Sequence, residues 1–287
     1  MSALIRHVAL VSDSPSVTFA EVSTVSAALQ KQVTRDFGPI WDVQGTVDGF
    51  DSLESVPVDY WPVILRDDIN EPGAAGFHTD DQGQPFSLVQ IDASWPLTAS
   101  HETLEMLADP FGNRTLAGSP PPQAPGQIQQ FARVVYLVEV GDPCEIAKYG
   151  YHANGVLVSD FITPHYYDPD GATGVQYSFR GNVKKPHEVL EGGYVSFGNP
   201  VDNHWYQIML ENGQVQLNDL GVITMSAGKS LREMVDHQVR VTRRQDRYRL
   251  KPGALAAAAT AAAVPSALAA SSAARAKALR EYTKKLR

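Results

Sequence analysis

The stretch Ser100-His101-Glu102-Thr103-Leu104-Glu105-Met106-Leu107-Ala108-Asp109-Pro110 decides how this chain is read. Leu104, Met106 and Leu107 carry a helix, and Pro110 ends it. Thr98 and Ser100 are both side chains that cap helix starts, so the helix is expected to begin there. On a helix, residues four apart lie one turn apart on the same face. His101 and Glu105 can therefore hold one metal ion from one side. Glu102 then lies beside that ion, where a general base for a metal-bound water belongs. A plainer reading competes with this one. Acidic residues in the first turns of a helix are favoured by the helix dipole, and His101 is then only a hydrogen-bonding residue near the cap.

A catalytic zinc site needs three protein donors and one open position. Glu139 and Asp142 are candidates for the third donor, because both end an apolar strand (Val134–Val140) at a tight Gly141-Asp142-Pro143 turn. Either can instead orient His101 through its other ring nitrogen. His78, placed at the corner of a strand end and turn over Ala75–Pro85, is another candidate. Asp109 is excluded, since two helical turns put it roughly 12 Å from His101 along the axis.

Outward from this centre the chain alternates short apolar runs with helical patterns. Residues 5–11, 43–50, 61–65 and 86–91 read as strands. Val22, Val25, Leu29 and Val33 mark a helix over about 18–36, which Gly38-Pro39 is expected to stop. Residues 156–162 read as a strand and 166–180 as a hairpin around Asp168-Pro-Asp-Gly171. Short strands then run to about Leu217, with turns at Gly192-Gly193 and Asn212-Gly213, and 229–239 is a short helix. The expected class is α+β: a mixed sheet packed on the site helix and an N-terminal helix. The expected division is 1–165 as an α+β domain, 166–239 as a β-rich extension of it, and 240–287 as a basic, Ala-rich linker and tail.

Composition bounds the function classes. The chain has 287 residues and is 43% hydrophobic, enough for a substantial core. One cysteine, Cys144, rules out an internal disulfide framework and a multi-cysteine zinc site. No apolar stretch is long enough for a membrane helix, and no secretory signal is visible. The expected location is the cytoplasm, or outside the cell without a recognisable signal. The net charge of −8 conceals an asymmetry. Residues 240–287 hold 12 basic and 2 acidic side chains, leaving 12 basic and 30 acidic in residues 1–239. An acidic body disfavours nucleic acid as its ligand, whereas the basic tail suits a protein assembly, an anionic surface or the acidic body itself.

The His-Glu-x-x-Glu pattern of 101–105, preceded by a strand carrying Gly76-Phe-His78, resembles the zincin metallopeptidases. Residues 30–41, 76–78, 100–110, 139–145 and 158–161 also resemble a group of uncharacterised bacterial proteins. The resemblance covers about residues 5–170. It implies a sheet packed on an active-site helix, with an edge strand that binds an extended peptide or protein substrate. It further implies zinc held by His101 and Glu105, with Glu102 as the base. Glu105 stands where the usual zincin helix has a second histidine. The alternative is a non-catalytic structural or interaction protein, a component or cargo of a larger assembly, whose degenerate zincin-like body is docked by its basic tail.

Overall fold

The computed structural model describes residues 4–71, 73–249 and 276–281. The Ala-rich stretch 253–274 and the end of the tail, 282–287, lie outside the described residues. The protein is mixed α+β. Five strands form the first sheet: β1 (Ile5–Ser12), β2 (Gln44–Phe50), β3 (Tyr60–Arg66), β4 (Gly76–Asp81) and β5 (Gln84–Gln90). Their spatial order is β2-β1-β3-β5-β4. All pairings are parallel except that of β4, which runs antiparallel to β5 at the sheet edge. The chain continues through β6 (Thr115–Gly118), β7 (Val134–Leu137), a small hairpin of β8 (Tyr151–Ala153) and β9 (Val156–Val158), then β10 (Tyr194–Asn199), β11 (His204–Glu211) and β12 (Gln214–Val222). The second sheet is antiparallel, in the order β12-β11-β10-β7-β6. Its strands come from both sides of residue 165, because β6 and β7 join β10–β12.

In β1, Val8-Ala9-Leu10-Val11 is wholly buried. That run lacks polar alternation, as expected of a parallel strand covered on both faces. Val8 and Leu10 face the main core with Val63, Leu65 and Val89. Ala9 and Val11 face a second cluster with Ile64, Leu88 and Phe86, and residues 276–281 are helical and add Ala276 and Leu279 to it. Arg280 clamps that segment through Asp13 (2.7 Å) and Glu54. Residues 276–281 of the basic tail thus rest on the chain's own acidic body. Among the described residues no helix is long and apolar enough to cross a membrane.

Helix α1 (Phe19–Lys31) begins with a reciprocal cap: Glu21 N–H donates to the Thr18 hydroxyl, and Thr18 N–H donates to the Glu21 carboxylate at 2.7 Å. It does not stop at Gly38-Pro39. A π-helical turn over Gln32–Phe37 leads into the short helix α2 (Gly38–Trp41), and Asp42 ends the run in the left-handed conformation at φ 53°. Pro39 is tolerated because it falls in the first turn of α2, where its missing N–H is not required. Helix α3 (Trp95–Ala108) begins five residues before Ser100, with Pro96 in its first turn. Thr98 and Ser100 are therefore inside the helix, and the capping role expected of them is not used.

Other expectations also change. His78 lies in the middle of β4, paired with Ser87 of β5, and not at a corner. The strand expected over 134–140 ends at Leu137, and the one over 156–162 ends at Val158. No hairpin forms at 166–180. Pro164–Tyr167 is a single 3-10 turn, and the Asp168 carboxylate bonds back to His165 at 2.8 Å, closing a local turn. Helix α4 runs over Leu231–Arg249, so residues 240–249 extend it instead of opening a linker.

Candidate metal centre

Helix α3 lies between the first sheet and β9, and eleven of its fourteen residues are buried. Its position is fixed by a polar relay through the core. The Ser100 hydroxyl donates to Gln32 Oε1 at 2.8 Å and accepts from Ser159 N–H at 2.9 Å. The Gln32 amide donates to the Ser159 carbonyl at 2.9 Å. The π turn is what brings Gln32 inward, and such turns recur at functional sites. Ser100 is adjacent to His101, so the relay locates the start of the donor pentapeptide.

His101, Glu102 and Glu105 are all buried, Glu105 completely. Charged side chains are seldom buried without partners. Here the partners come from three other elements. Strand β4 supplies His78, the segment after β7 supplies Glu139 and Asp142, and α4 supplies Arg232; each of these is also buried. All six residues singled out from the sequence therefore meet in one cluster. His101 Nε2 lies 3.2 Å from both Glu105 Oε1 and Asp142 Oδ1. His78 Nδ1 lies 3.6 Å from Glu102 Oε2 and 3.9 Å from Glu105 Oε2. Arg232 Nη1 lies 3.0 Å from Glu139 Oε2 and 3.3 Å from Glu105 Oε2, and it contacts His78 Nδ1. Asp109 stays outside: its carboxylate accepts the N–H groups of Asn113 and Arg114.

Two glycines make this density possible. A Cβ on Gly141 would lie 2.5 Å from His101 Nδ1, so the imidazole packs directly on bare backbone. The Gly141 N–H also donates to Glu105 Oε1 at 3.0 Å. A Cβ on Gly76 would lie 2.9 Å from Glu102 Oε1. Each helix carboxylate is thus set by a glycine on a neighbouring segment. His78 is set by the Asp109 carbonyl, 2.9 Å from Nε2. A carbonyl only accepts, so the proton resides on Nε2 and the Nδ1 lone pair faces the cluster.

The electrostatics are those of a site short of positive charge. Burial pushes the Glu102 carboxyl up to about 8, against the pull of Arg232 and His101. Burial raises Asp142 to about 6, and raises Glu139 well above the carboxylate range despite Arg232. Burial works against charge on Glu105 too, but His101 and Arg232 overcome it and hold that group ionised. His101 resists the same desolvation because Glu105 and Asp142 keep it protonated. His78 is neutral, through burial and the Arg232 charge. Glu102 Oε2, both Glu139 oxygens and Asp142 Oδ1 receive no well-directed hydrogen bond. Glu139 Oε2 and Asp142 Oδ1 do have a cationic group at ion-pair range, which attracts them without satisfying their lone pairs.

Such oxygens suit a cation. Among the described residues, three donor groups have ligand atoms within 4.8 Å of one another: His101/Glu102/Glu105, His78/Glu105/Glu139 and His101/Asp142/Glu145. Glu145, raised to about 8 by burial, had no sequence signal beyond its place after the Asp142 turn. Arg232 was also missed. Its one signal is that it shares a helical stripe with the buried Val235 and Val239, an unusual place for a guanidinium. Cys144 is fully buried and its thiol is pushed up by burial, which closes it as a nucleophile.

The cluster opens on one side into a cavity of about 470 Å³. His78, His101, Glu102, Glu145, Tyr194 and Arg232 are among its walls. Strand β4, the edge of the first sheet among the described strands, lines it from Gly76 to Thr79. No protein-family model, curated protein or solved structure matches the chain.

Proposed function

We propose that this chain is a metal-dependent hydrolase of the peptidase type, built on a zincin-like body. Glu102 carries the reading: a buried carboxylate with an unsatisfied oxygen, next to the His101/Glu105 pair, on the wall of an open cavity. The zincin-like reading is supported by a sheet that packs on the donor helix and ends in an edge strand beside the cavity. Imidazole and carboxylate donors suit zinc, and two ligands on a tetrahedral ion with bonds of about 2.0 Å stand roughly 3.3 Å apart. The 3.2 Å spacing of His101 Nε2 and Glu105 Oε1 fits that requirement. His101 and Glu105 would hold the ion, with a third donor from Asp142, Glu139 or His78.

When bound, the ion lowers the pKa of coordinated water and polarises a carbonyl. Glu102 takes up a proton at its carboxylate and passes it to the leaving amine. The edge strand β4 receives an extended peptide as an added strand. The test is metal content on the untagged protein. About one ion per chain is expected, absent from His101→Ala. Glu102→Gln is expected to keep the ion and lose turnover of an unfolded protein substrate by about 10²–10⁴-fold. A wild-type chain that takes up no divalent ion under any loading condition sinks the hydrolase.

One observation favours a second reading. Arg232 already supplies a cation to Glu105 and Glu139. A non-catalytic interaction protein would use that guanidinium in place of a metal, with the basic tail as its docking element. Metal content decides between the two, and tail deletion that abolishes association with an assembly supports the second.

A further inference from the structure

The cavity beside the metal centre is strongly acidic. Seven carboxylate and three basic side chains are among its walls. Two of the basic groups are already committed, Arg232 to Glu105 and Glu139, and Arg240 to Glu71 at 2.7 Å. The third, Lys229, is exposed. A cleft lined by one sign of charge concentrates ligands of the opposite sign.

That excess has a focus in Glu145, to which the hydrolase reading gives no role. Glu145 follows the 3-10 turn Asp142–Cys144 and stands half-buried in the cavity wall. It places a carboxylate oxygen within 4.8 Å of ligand atoms on His101 and Asp142. Among the described residues no protein hydrogen bond or ion pair reaches it. A carboxylate drawn out of water without a donor or a counter-ion is costly, so a ligand that brings both is favoured there. The neighbouring wall is apolar. Ile146 packs against Gly192, where a Cβ would lie 2.6 Å from Ile146 Cγ2. Tyr194, two residues on, is paired across the ladder with Met209 of β11. Glu211 follows Met209 on the same face of that strand and is exposed. The wall therefore runs from an exposed carboxylate, over Met209, Tyr194 and Ile146, to a half-buried one. An aliphatic stem with a cationic end matches that sequence of surfaces.

We propose that Glu145, with Ile146, Tyr194 and Met209, forms a subsite for a lysine or arginine side chain, and that the substrate is a basic peptide segment laid along β4. The stem packs on the three apolar walls, the charged end pairs with Glu145, and Glu211 attracts it at the entrance. This deepens the hydrolase reading by naming its substrate class, and it rests on that reading.

The experiment measures binding on the full chain carrying Glu102→Gln, which is expected to hold substrate without turning it over. Three capped peptides, identical but for a central lysine, norleucine or glutamate, are titrated by fluorescence anisotropy in the presence of Zn²⁺. Lysine is expected to bind about 10–100-fold more tightly than norleucine, the range of a hydrogen bond to a charged group, and glutamate more weakly than norleucine. Adding Glu145→Gln is expected to reduce the lysine preference to about fivefold or less, which an exposed carboxylate such as Glu211 can sustain. Each preference is a ratio within one preparation, so a partly folded variant does not distort it. Equal binding of the three peptides, or binding of none, overturns the subsite, and this arm does not need the Glu145 variant to fold. A lysine preference that Glu145→Gln leaves unchanged also overturns it. Loss of bound Zn²⁺ on Glu145→Gln overturns it too, because Glu145 is then a ligand. A wild-type chain that cleaves the norleucine peptide as efficiently as the lysine one leaves the hydrolase standing and removes the subsite. A lysine preference in a wild-type chain that neither takes up zinc nor cleaves has the reverse outcome: the hydrolase falls and the subsite stands as a binding site for basic segments.

Discussion

Gly141→Ala tests the geometry of the centre from a residue that is not itself a donor. The added methyl would stand 2.5 Å from His101 Nδ1, 2.7 Å from Cε1 and 3.0 Å from Cγ. Ordinary contact begins at 3.4 Å, so the ring or the backbone must give by about 0.9 Å. The ring cannot give without lengthening the 3.2 Å approaches of Nε2 to Glu105 and Asp142. The backbone cannot give without disturbing the N–H bond from Gly141 to Glu105 Oε1. Overpacking of this kind costs about 1–3 kcal/mol. A loss of about 2 kcal/mol lowers Tm by roughly 4–8 °C in a chain of this size. Displacing the supports of a metal ligand weakens metal binding about 10–100-fold. Calorimetric melting and Zn²⁺ titration of the purified variant read the two effects separately. An unchanged Tm refutes the packing of His101 on Gly141. A lowered Tm with unchanged metal affinity refutes His101 as a donor.

Three further outcomes follow from regions away from the centre. His187 is buried against Tyr136, and burial lowers its imidazole to about 4. A histidine with a folded pKa below its unfolded value near 6.5 costs nothing at neutral pH. It withdraws stability as pH falls from about 6.5 to 4, because only the unfolded chain takes the proton freely. The loss over that window is about 3 kcal/mol, and urea midpoints at pH 7 and pH 4.5 measure it. His187→Asn tolerates the same left-handed backbone and is expected to remove this part of the acid sensitivity; an undiminished pH dependence contradicts the assignment. At the tail, Leu279→Asp places a charge in the apolar cluster under the first sheet and is expected to release residues 276–281, read as faster amide exchange there with the sheet itself protected. Arg280 holds the Glu54 carboxyl below its usual range. Tail protection is therefore expected to persist at neutral pH and to fade as Glu54 is protonated in acid, and protection that survives full protonation of Glu54 contradicts that link.

Some of this was legible in the sequence because the signals are local. Val8–Val11 is a run that only a doubly covered strand explains, and Asn212-Gly213 is the tight turn between β11 and β12, both residues having positive φ. His101, Glu102 and Glu105 were legible because helical spacing alone puts them together. Glu139, Asp142 and His78 were legible as candidates only, since nothing local says which strand end faces a given helix. The start of α3 was misread because Thr98 and Ser100 are good caps, yet Pro96 is equally at home in a first turn and Trp95 has a core to enter. The continuation past Gly38-Pro39 was hidden because a π turn changes the hydrogen-bonding register ahead of the proline. Arg232 lies 127 residues from Glu105 and in a helix that reads as an ordinary amphipathic one. Its role exists only after β4, α3, β7 and α4 have been assembled.

The inventory of charge bears on whether the cluster is merely structural. Glu102, Glu105, Glu139 and Asp142 are buried together, and among the described residues Arg232 is the one permanent cation at ion-pair range of the group. Each buried ion loses several kcal/mol of hydration, and an apolar cluster of the same volume is often as stable or more so. A purely structural role for four carboxylates and two imidazoles therefore rests on conformational specificity and not on stability. As the cluster stands, protons supply the missing charge: burial pushes Glu102 up to about 8 and Glu139 well above the carboxylate range, and Glu105 and Asp142 hold His101 protonated. On the metal reading those protons are placeholders, because imidazole and carboxylate must be deprotonated to ligate and a divalent ion expels them on entry. A structural cluster would instead hold its protons tightly and show no preference for divalent over monovalent cations. The two cases separate in one titration, in which protons released are counted against Zn²⁺ added and the same is done with K⁺. Release with Zn²⁺ alone favours the metal reading, and release with neither ion contradicts it.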